Sequence, residues 1–219
     1  HSMKLHVFVH LVNLPGSMFI AKEMFDSLVK SDLVNNADFS IYCNYGYQEF
    51  DWLREQTNSC ANIKLFYPTF GPDKNFEIPT LIELKKFCDS ASDEYGILYI
   101  HQKGATNPND LNRQSSRHRM INDNIYNWKH MVGRLEQGFD TAGSNLVKSV
   151  TANYIYEGNW WWARSSYIKN LDKLQLPSDV NYQSQLLSDL NFIPNLHRFD
   201  AEHWIFTKSP IYYNFVDNK

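Results

Sequence analysis

The stretch YGILYIHQKG, residues 95–104, decides the fold. It is a short apolar run rich in β-branched and aromatic residues, and it stops at a histidine, a lysine and a glycine. Such a run is typical of a buried strand in a mostly parallel sheet. Ligands of open α/β sheets bind beyond the carboxyl ends of the strands, so His101 and Lys103 are candidate functional residues. The alternative is a solvated Lys103 and a His101 that only ends the strand.

The segments on either side alternate between strand and helix patterns. Strands are predicted at residues 5–11, 39–44 and 63–67, and helices at residues 18–29, 47–56 and 79–88. Farther along, the patterns predict a long helix over residues 115–135, a strand and loop over residues 141–150, and a helix over residues 165–174 capped by Ser165. This alternation predicts an α/β fold with a central, mostly parallel sheet flanked by helices.

Length, charge and cysteine usage narrow the class of protein. The chain has 219 residues, which suits one domain over residues 3–215, after a start that is typical of a tag remnant. It is compatible with being one module of a longer protein. The net charge is −3 and the basic residues are scattered, so no nucleic-acid partner is expected. No apolar run approaches the ~18 residues of a membrane span. Three cysteines without C-x-x-C spacing favour a reducing, cytoplasmic location over secretion.

The sequence lacks the motifs of several common enzyme classes. It contains no G-x-G-x-x-G after the first strand, no P-loop, no G-x-S-x-G and no H-E-x-x-H. Dehydrogenase, NTPase, serine hydrolase and zincin functions therefore lose their usual support. The Asp-x-Asp signature of many nucleotide-sugar transferases is also missing, because no two aspartates are separated by a single residue.

Three adjacent tryptophans occur in the segment YIYEGNWWWAR, residues 154–164. Neighbouring side chains on a strand or a helix point in different directions, so the three rings cannot all face one core. At least one ring is expected to line a cleft. Asn159 is suited to binding sugar hydroxyls there, and Arg164 to binding a carboxylate or phosphate. The alternative is a buried aromatic belt with a structural ion pair.

A further cluster of charged residues lies near the end of the chain. Arg198, Asp200 and Glu202 alternate, and in a strand they would share one face. The two carboxylates could then act as a general base or bind a metal. A structural salt-bridge cluster is the alternative. Glu77, just ahead of the predicted helix at residues 79–88, is a weaker candidate carboxylate.

Four segments, taken in order, resemble one family of enzymes. They are residues 76–81 (FEIPTL), residues 98–104 (LYIHQKG), residues 158–168 (GNWWWARSSYI), and Arg198 followed by residues 201–204 (AEHW). Together they resemble a group of GT-A-type glycosyltransferases in which a Y-x-H-x-K-G strand end stands where Asp-x-Asp usually lies. Within that group the chain looks similar to chlorovirus enzymes that decorate the viral capsid protein. The resemblance covers residues 3 to about 215.

The resemblance implies a single GT-A-like domain that transfers a hexose or deoxyhexose, such as glucose or rhamnose, from a UDP-sugar donor. The implied acceptor is a glycan of a glycoprotein, a viral capsid protein by the same resemblance. Donor and nucleotide binding is implied for His10, Val12, Asn13, Asn44, Glu77, Thr80, His101 and Lys103. Sugar or acceptor binding is implied for Asn159, Trp161, Arg164 and Arg198, and catalysis for Asp200 and Glu202. A divalent metal, Mn²⁺ or Mg²⁺, is implied with His101 and Glu77 as ligands.

A second class of function stays open at this point. The chain could be a non-catalytic carbohydrate- or nucleotide-binding module, or a protein-interaction module that uses the Trp-rich segment. A binding module would retain its ligand without consuming it. An interaction module would expose an apolar patch and lack a nucleotide pocket.

Overall fold

The computed structural model describes residues 3–68, 76–149, 153–179 and 196–216. Its strands are β1 Lys4–Val12, β2 Asp38–Asn44, β3 Ile63–Phe66, β4 Tyr95–His101, β5 Thr141–Ser144, β6 Leu146–Lys148, β7 Tyr154–Tyr156, β8 Trp161–Arg164 and β9 Tyr212–Phe215. Its helices are α1 Met18–Lys30, α2 Asp51–Thr57, α3 Ile78–Ser90, α4 Leu111–Ile121, α5 Trp128–Glu136, α6 Ser165–Lys169 and α7 Leu196–His203. Short 3₁₀ turns lie at Leu33–Asn35, Gln48–Phe50 and Trp204–Phe206.

The central sheet contains seven strands in the order β3-β2-β1-β4-β8-β5-β9. Strand β8 is antiparallel to both of its neighbours, and the other adjacent pairs are parallel. Strands β6 and β7 form a separate antiparallel pair. The predicted α/β fold, with a central, mostly parallel sheet flanked by helices, is therefore confirmed.

Side chains of the central strands alternate between two hydrophobic cores. On β1, Val7 and Val9 enter the first core, whereas Phe8 enters the second. Helices α1, α2, α4 and α5 cover the first core, and α3, α6 and α7 cover the second. Because each strand is buried on both faces, it reads as a continuous apolar run in the sequence. Each large side chain buried in this way contributes about 1.5–3 kcal/mol.

The single helix predicted over residues 115–135 is wrong in its start and its continuity. Helix α4 begins at Leu111, because Asp110 Oδ1 accepts hydrogen bonds from the backbone N–H groups of Asn112 and Arg113. A π-helical turn, Asn122–Tyr126, then separates α4 from α5. In this turn the Asn127 side chain donates to the Asn122 carbonyl, and such side-chain bonds compete with the regular helix pattern.

Two further local predictions are corrected by the structure. Ser165 does not cap its helix, because it is the first residue of α6; its hydroxyl instead accepts from Tyr95 N and donates to Glu94 Oε1. The helix also ends at Lys169 rather than near residue 174. Asp200 and Glu202 would share one face only in a strand, and the segment that carries them is helix α7. Positions two apart on a helix point in different directions, so the two carboxylates do not share a face.

Two of the features used to narrow the class of protein, membrane-spanning segments and cysteines, can be checked in the structure. Among the described residues, no helix is both long enough and apolar enough to cross a bilayer. All three cysteines are free thiols. Burial raises the pKa values of Cys43 and Cys88 to about 12, so neither thiol forms a reactive thiolate near neutral pH.

Candidate functional site

The parallel strands β1, β2 and β4 end side by side, and we call this side of the sheet the carboxyl edge. His10 pairs with His101 across β1 and β4, and Val12 pairs with Asn44 across β1 and β2. Lys103 follows two residues after His101. The strand register therefore brings together predicted donor-site residues that are up to about ninety positions apart in the sequence.

The Glu77 carboxylate is the centre of a buried hydrogen-bond network at this edge. Its Oε1 atom accepts from Asn159 Nδ2 at 2.5 Å and from the Tyr99 hydroxyl at 3.1 Å. Asn159 Nδ2 also donates to the Ala201 carbonyl at 3.2 Å, and Asn159 Oδ1 accepts from Trp161 Nε1 at 3.0 Å. The network thus joins the start of α3, the strand β4, the segment before β8, and α7.

The protonation of this network follows from burial and charge. Tyr99 is fully buried, and burial together with the neighbouring Glu77 carboxylate raises the pKa of its hydroxyl well above the ordinary value. Tyr99 therefore remains a neutral hydrogen-bond donor to Glu77. Asn159 has φ of +58°, a left-handed conformation that asparagine tolerates better than most residues.

The His101 imidazole is held between a carbonyl and a carboxylate. Its Nε2 atom lies 2.7 Å from the Gly158 carbonyl oxygen and 3.8 Å from Glu77 Oε2. Because a carbonyl oxygen can only accept, Nε2 carries the proton and donates it. The His101 main-chain carbonyl accepts from Trp160 Nε1 at 3.0 Å, which fixes the end of β4.

His10, Asn44 and Thr80 form the buried floor of the carboxyl edge. The Thr80 hydroxyl lies 2.8 Å from His10 Nδ1, and Asn44 Nδ2 donates to the Leu11 and Tyr42 carbonyls. Burial, and secondarily His101, lowers the pKa of His10 to about 3, so the imidazole is neutral near pH 7. These three side chains satisfy one another and the strand ends, and they support the edge from beneath.

The backbone N–H groups at the end of β1 also donate hydrogen bonds within the protein. Val12 N donates to Gln102 Oε1, and Asn13 N donates to the Asn44 carbonyl. The Asn13 side chain donates to the Tyr45 carbonyl at 3.3 Å. Val12 and Asn13 are both partly exposed at this edge, whereas His10 is buried, and of the two exposed residues Asn13 has the polar side chain.

Lys103 provides a positive charge at the carboxyl edge. Its side chain is half-buried, and no described residue pairs with its ammonium group. The following residue, Gly104, has φ of +87°, which a glycine adopts without strain. The turn therefore places Lys103 two residues beyond His101 at the carboxyl edge.

The structure does not bring Arg164 to this edge. Arg164 pairs with Gly96 at the start of β4, about 16 Å along the strand from His101. Its Nη2 atom lies 3.1 Å from Asp140 Oδ1, beside a pocket of about 330 Å³ that Lys208 also lines. Lys208 in turn pairs with Asp172 at 3.4 Å, so the charges of this pocket are largely matched. The structural ion pair, the alternative considered for Arg164, is what the fold contains.

The three tryptophans do not line a cleft. Trp160, Trp161 and Trp162 are each at most 1 % exposed. Trp160 and Trp162 enter the first core and Trp161 enters the second. The argument that three adjacent rings cannot share one core was correct, but the expectation of an exposed ring was wrong, because this strand has a core on both faces.

Helix α7 borders the network but does not form a carboxylate pair. The Ala201 carbonyl accepts from Asn159, whereas Asp200 is buried and Glu202 is half-buried at separate positions around the helix. Arg198 lies on α7, and its side chain is outside the described residues.

Three residues of the site were missed at the sequence level. Tyr99 and Gly158 bond directly to Glu77 and His101. Gln102 links the end of β4 to the start of α1, because its amide accepts from Val12 N and donates to the Ser17 carbonyl. The signal for Tyr99 was its position two residues before His101, which places both on one face of the strand. Gly158 lies within residues 154–164 and Gln102 within residues 95–104. Neither residue is charged, so neither was singled out from the sequence.

His101 and Glu77 are the two side chains implied as metal ligands at the site. The residues that the structure describes contain no group of three histidine, cysteine, aspartate or glutamate side chains able to hold an ion. His101 and Glu77 are 3.8 Å apart, and imidazole and carboxylate both suit Mn²⁺. The proton that His101 Nε2 donates to Gly158 prevents this nitrogen from binding a metal at the same time.

Comparisons with known proteins were made on sequence and on structure. No curated protein matches the chain by sequence. A crystal structure from Desulfovibrio desulfuricans G20, provisionally named a nucleotide-diphospho-sugar transferase, covers 97 % of this chain and 80 % of its own, at 8 % identity and a TM-score of 0.40. So loose a superposition says nothing about the reaction. The family described as "Domain of unknown function (DUF8361)" matches residues 20–211. The chain therefore belongs to the DUF8361 family.

Proposed function

We propose that this protein is a GT-A-type glycosyltransferase that uses a UDP-sugar donor. The observation that carries the proposal is the meeting of the four segments on which the family resemblance rests. Glu77, the Tyr99 and His101 strand end, Asn159, and the Ala201 carbonyl are joined by direct hydrogen bonds. Residues this far apart in sequence are joined around a carboxylate at the edge where α/β proteins bind ligands.

The chemistry of glycosyl transfer suits the groups at this edge. Transfer builds negative charge on the departing diphosphate, and the Lys103 ammonium group would stabilise that charge. The Glu77 carboxylate, fixed by Tyr99 and Asn159, would orient the sugar or the diphosphate. A base must also take the proton of the acceptor hydroxyl, and we propose Glu202 or Asp200 of the bordering helix α7 for this step.

The donor and acceptor are proposed from the resemblance. A hexose or deoxyhexose donor, UDP-glucose or UDP-rhamnose, would be transferred to a glycan of a glycoprotein. The chlorovirus and capsid-protein link stays a prediction. Arg164 is left out of the proposed acceptor site because it lies at the other end of the sheet.

A divalent cation enters the proposal only as one of the conditions under which donor binding is tested. If Mn²⁺ or Mg²⁺ binds, His101 and Glu77 would hold it, and the ion would neutralise charge on the diphosphate. Such binding requires the His101 to Gly158 contact to be given up. Lys103 can neutralise diphosphate charge without any metal.

Calorimetric titration of the purified chain with UDP and UDP-glucose, each with Mn²⁺ and again with EDTA, tests the proposal. We expect UDP to bind, and the Lys103→Met variant to bind it about tenfold or more weakly. The matched control is Lys86→Met, on the exposed face of α3 and 61 % exposed. Release of UDP from UDP-glucose in the presence of acceptor glycans then measures turnover.

Each outcome separates the candidate functions. Binding with turnover supports the transferase. Binding of the nucleotide sugar without turnover on any glycan tried would favour the non-catalytic binding module. Absence of UDP binding in both conditions would overturn the proposal. The interaction module based on exposed tryptophans has no support, because the three rings of the Trp-rich segment are buried.

A further inference from the structure

Arg117 of helix α4 is a buried arginine beneath the turn that carries Lys103. Its side chain is 1 % exposed. Its Nε atom donates to Glu23 Oε2 of α1 at 2.9 Å, and its Nη1 atom donates to the Lys103 main-chain carbonyl at 3.2 Å. Its Nη2 atom is buried and has no hydrogen-bond partner among the residues that the structure describes. One guanidinium group therefore connects α1, α4 and the Lys103 turn.

Stability alone does not explain a buried arginine at this position. Burying a charge requires compensation, and a buried N–H group without a partner costs further free energy. Replacing a buried ion pair with well-packed apolar side chains of similar volume often leaves stability unchanged or increases it. An apolar side chain could not bond to the Lys103 carbonyl, and with no charge at this position the Glu23 bond would not be needed to compensate it.

Arg117 also packs against the residue that follows Lys103. Gly104 adopts φ of +87°, and a Cβ atom built on it would lie 3.4 Å from Arg117 Nη1. The guanidinium thus packs directly against the turn as well as bonding to it. A planar fork can reach a carboxylate with one nitrogen and a carbonyl with another, and the single ammonium group of a lysine cannot reproduce both bonds in the same geometry.

We propose that Arg117 is a positioning residue that sets the place of the Lys103 ammonium group for the phosphates of a nucleoside diphosphate. The inference rests on the proposed function. Arg117 does not touch the ligand; it acts through the Lys103 carbonyl, with Glu23 holding the guanidinium in orientation.

The test compares UDP with uridine, which lacks the phosphates. Both affinities are measured by NMR titration for the wild type, Arg117→Lys, Lys103→Met and the double variant. We expect Arg117→Lys to weaken UDP about tenfold and to change uridine binding less than twofold. The double variant should bind UDP no more weakly than Lys103→Met alone, because the two residues act in series. Arg119→Lys, an exposed position on the same helix, should match the wild type.

Other results would overturn the inference. Equal weakening of UDP and uridine by Arg117→Lys would mean a general structural role. Additive losses in the double variant would mean that Arg117 acts independently of Lys103. If Arg117→Lys does not fold, Glu23→Gln replaces it; this variant loosens the guanidinium and should show a smaller loss that is again specific to UDP. If the wild type binds no UDP, the proposed function itself fails, and this inference fails with it; if Lys103→Met weakens UDP and Arg117→Lys does not, the inference alone fails.

Discussion

Asn159 donates a hydrogen bond of 2.5 Å to Glu77 across 82 positions of sequence. Asn159 also bonds to Trp161 and to the Ala201 carbonyl, and Glu77 also accepts from Tyr99. The pair therefore fixes one carboxylate oxygen relative to α3, β4, β8 and α7. These hydrogen bonds do not extend to the buried floor of His10, Asn44 and Thr80 or to the Lys103 turn.

Replacing Glu77 tests this connection. Glu77→Ala leaves the Asn159 amide and the Tyr99 hydroxyl without their acceptor, and we expect a loss of about 2 kcal/mol or more in the free energy of unfolding. Glu77→Gln keeps an acceptor oxygen and should cost less stability, yet it should lower the kcat/KM for a UDP-sugar about tenfold or more. Urea unfolding and UDP release measure the two effects. Glu83→Gln, partly exposed on α3 and paired with Lys86, is the control. Wild-type turnover by Glu77→Gln would limit Glu77 to a structural role.

Acid should destabilise the protein through His10. The pKa of His10 is lowered to about 3, whereas an unfolded histidine titrates near 6.5, so the unfolded chain binds more protons between these values. The stabilisation is present above about pH 6.5 and is lost as the pH falls. For this group the free energy of unfolding should therefore decrease by about 1 kcal/mol per pH unit between pH 6.5 and 5, and by up to about 1.4 kcal/mol per unit at lower pH. His6, with a pKa of about 4, acts in the same direction.

His10→Gln should reduce the number of protons taken up on unfolding by about one, and so make the free energy of unfolding less dependent on pH. Urea unfolding at several pH values measures this change. Thr80→Val is the matched control, because it removes the hydroxyl beside the imidazole and keeps the titrating group. The control should be less stable at every pH with its slope retained. An unchanged slope in His10→Gln would contradict the buried neutral imidazole.

Two glycines provide a matched pair for packing. Gly158 has φ of +92°, and a Cβ atom there would lie 2.6 Å from Met120 Sδ. We expect Gly158→Ala to cost about 1–3 kcal/mol and to displace the carbonyl that His101 bonds. Gly133 lies inside α5, and a Cβ atom there meets nothing within 4 Å. Gly133→Ala should stabilise the protein by about 0.5–1 kcal/mol. Equal effects in the two variants would contradict the packing at Gly158.

Iodide quenching of tryptophan fluorescence tests the burial of the Trp-rich segment. Trp160, Trp161, Trp162 and Trp204 are at most 1 % exposed, and Trp52 is half-buried. Iodide should therefore quench a small fraction of the emission, and Trp52→Phe should remove most of that fraction. Strong quenching that persists in Trp52→Phe would mean that the Trp-rich segment lines a surface after all.

The elements that the sequence predicted well have local signals. Strand β4 could be read from one apolar run and its polar end, and helix α1 from apolar residues at helical spacing after a Pro-Gly turn. The errors occurred where tertiary contacts compete with local pattern. The turn at Asn122–Tyr126 interrupts a helical pattern, and the Asn124 carbonyl there accepts from Trp162 Nε1 of β8.

Among the candidate site residues, sequence reasoning placed correctly those that follow parallel strands. His10, Asn44 and His101 meet because strand ends meet at one edge of a sheet, which the predicted fold already required. Arg164 was misplaced because β8 runs antiparallel, which carries its end to the opposite edge. A strand's direction depends on its neighbours in the sheet, and no local pattern in residues 161–164 encodes it.

The sequence by itself determined the fold class, the position of His101 and Lys103 at a strand end, and the absence of the common nucleotide-binding motifs. These follow from residue periodicity and from spacing along the chain. Only the tertiary structure decided that Glu77, His101 and Asn159 form one network, that the Trp-rich segment is buried on two faces, and that Arg117 supports the Lys103 turn. Each of these depends on the packing of segments tens of residues apart, which is set by the whole core rather than by any short stretch of sequence.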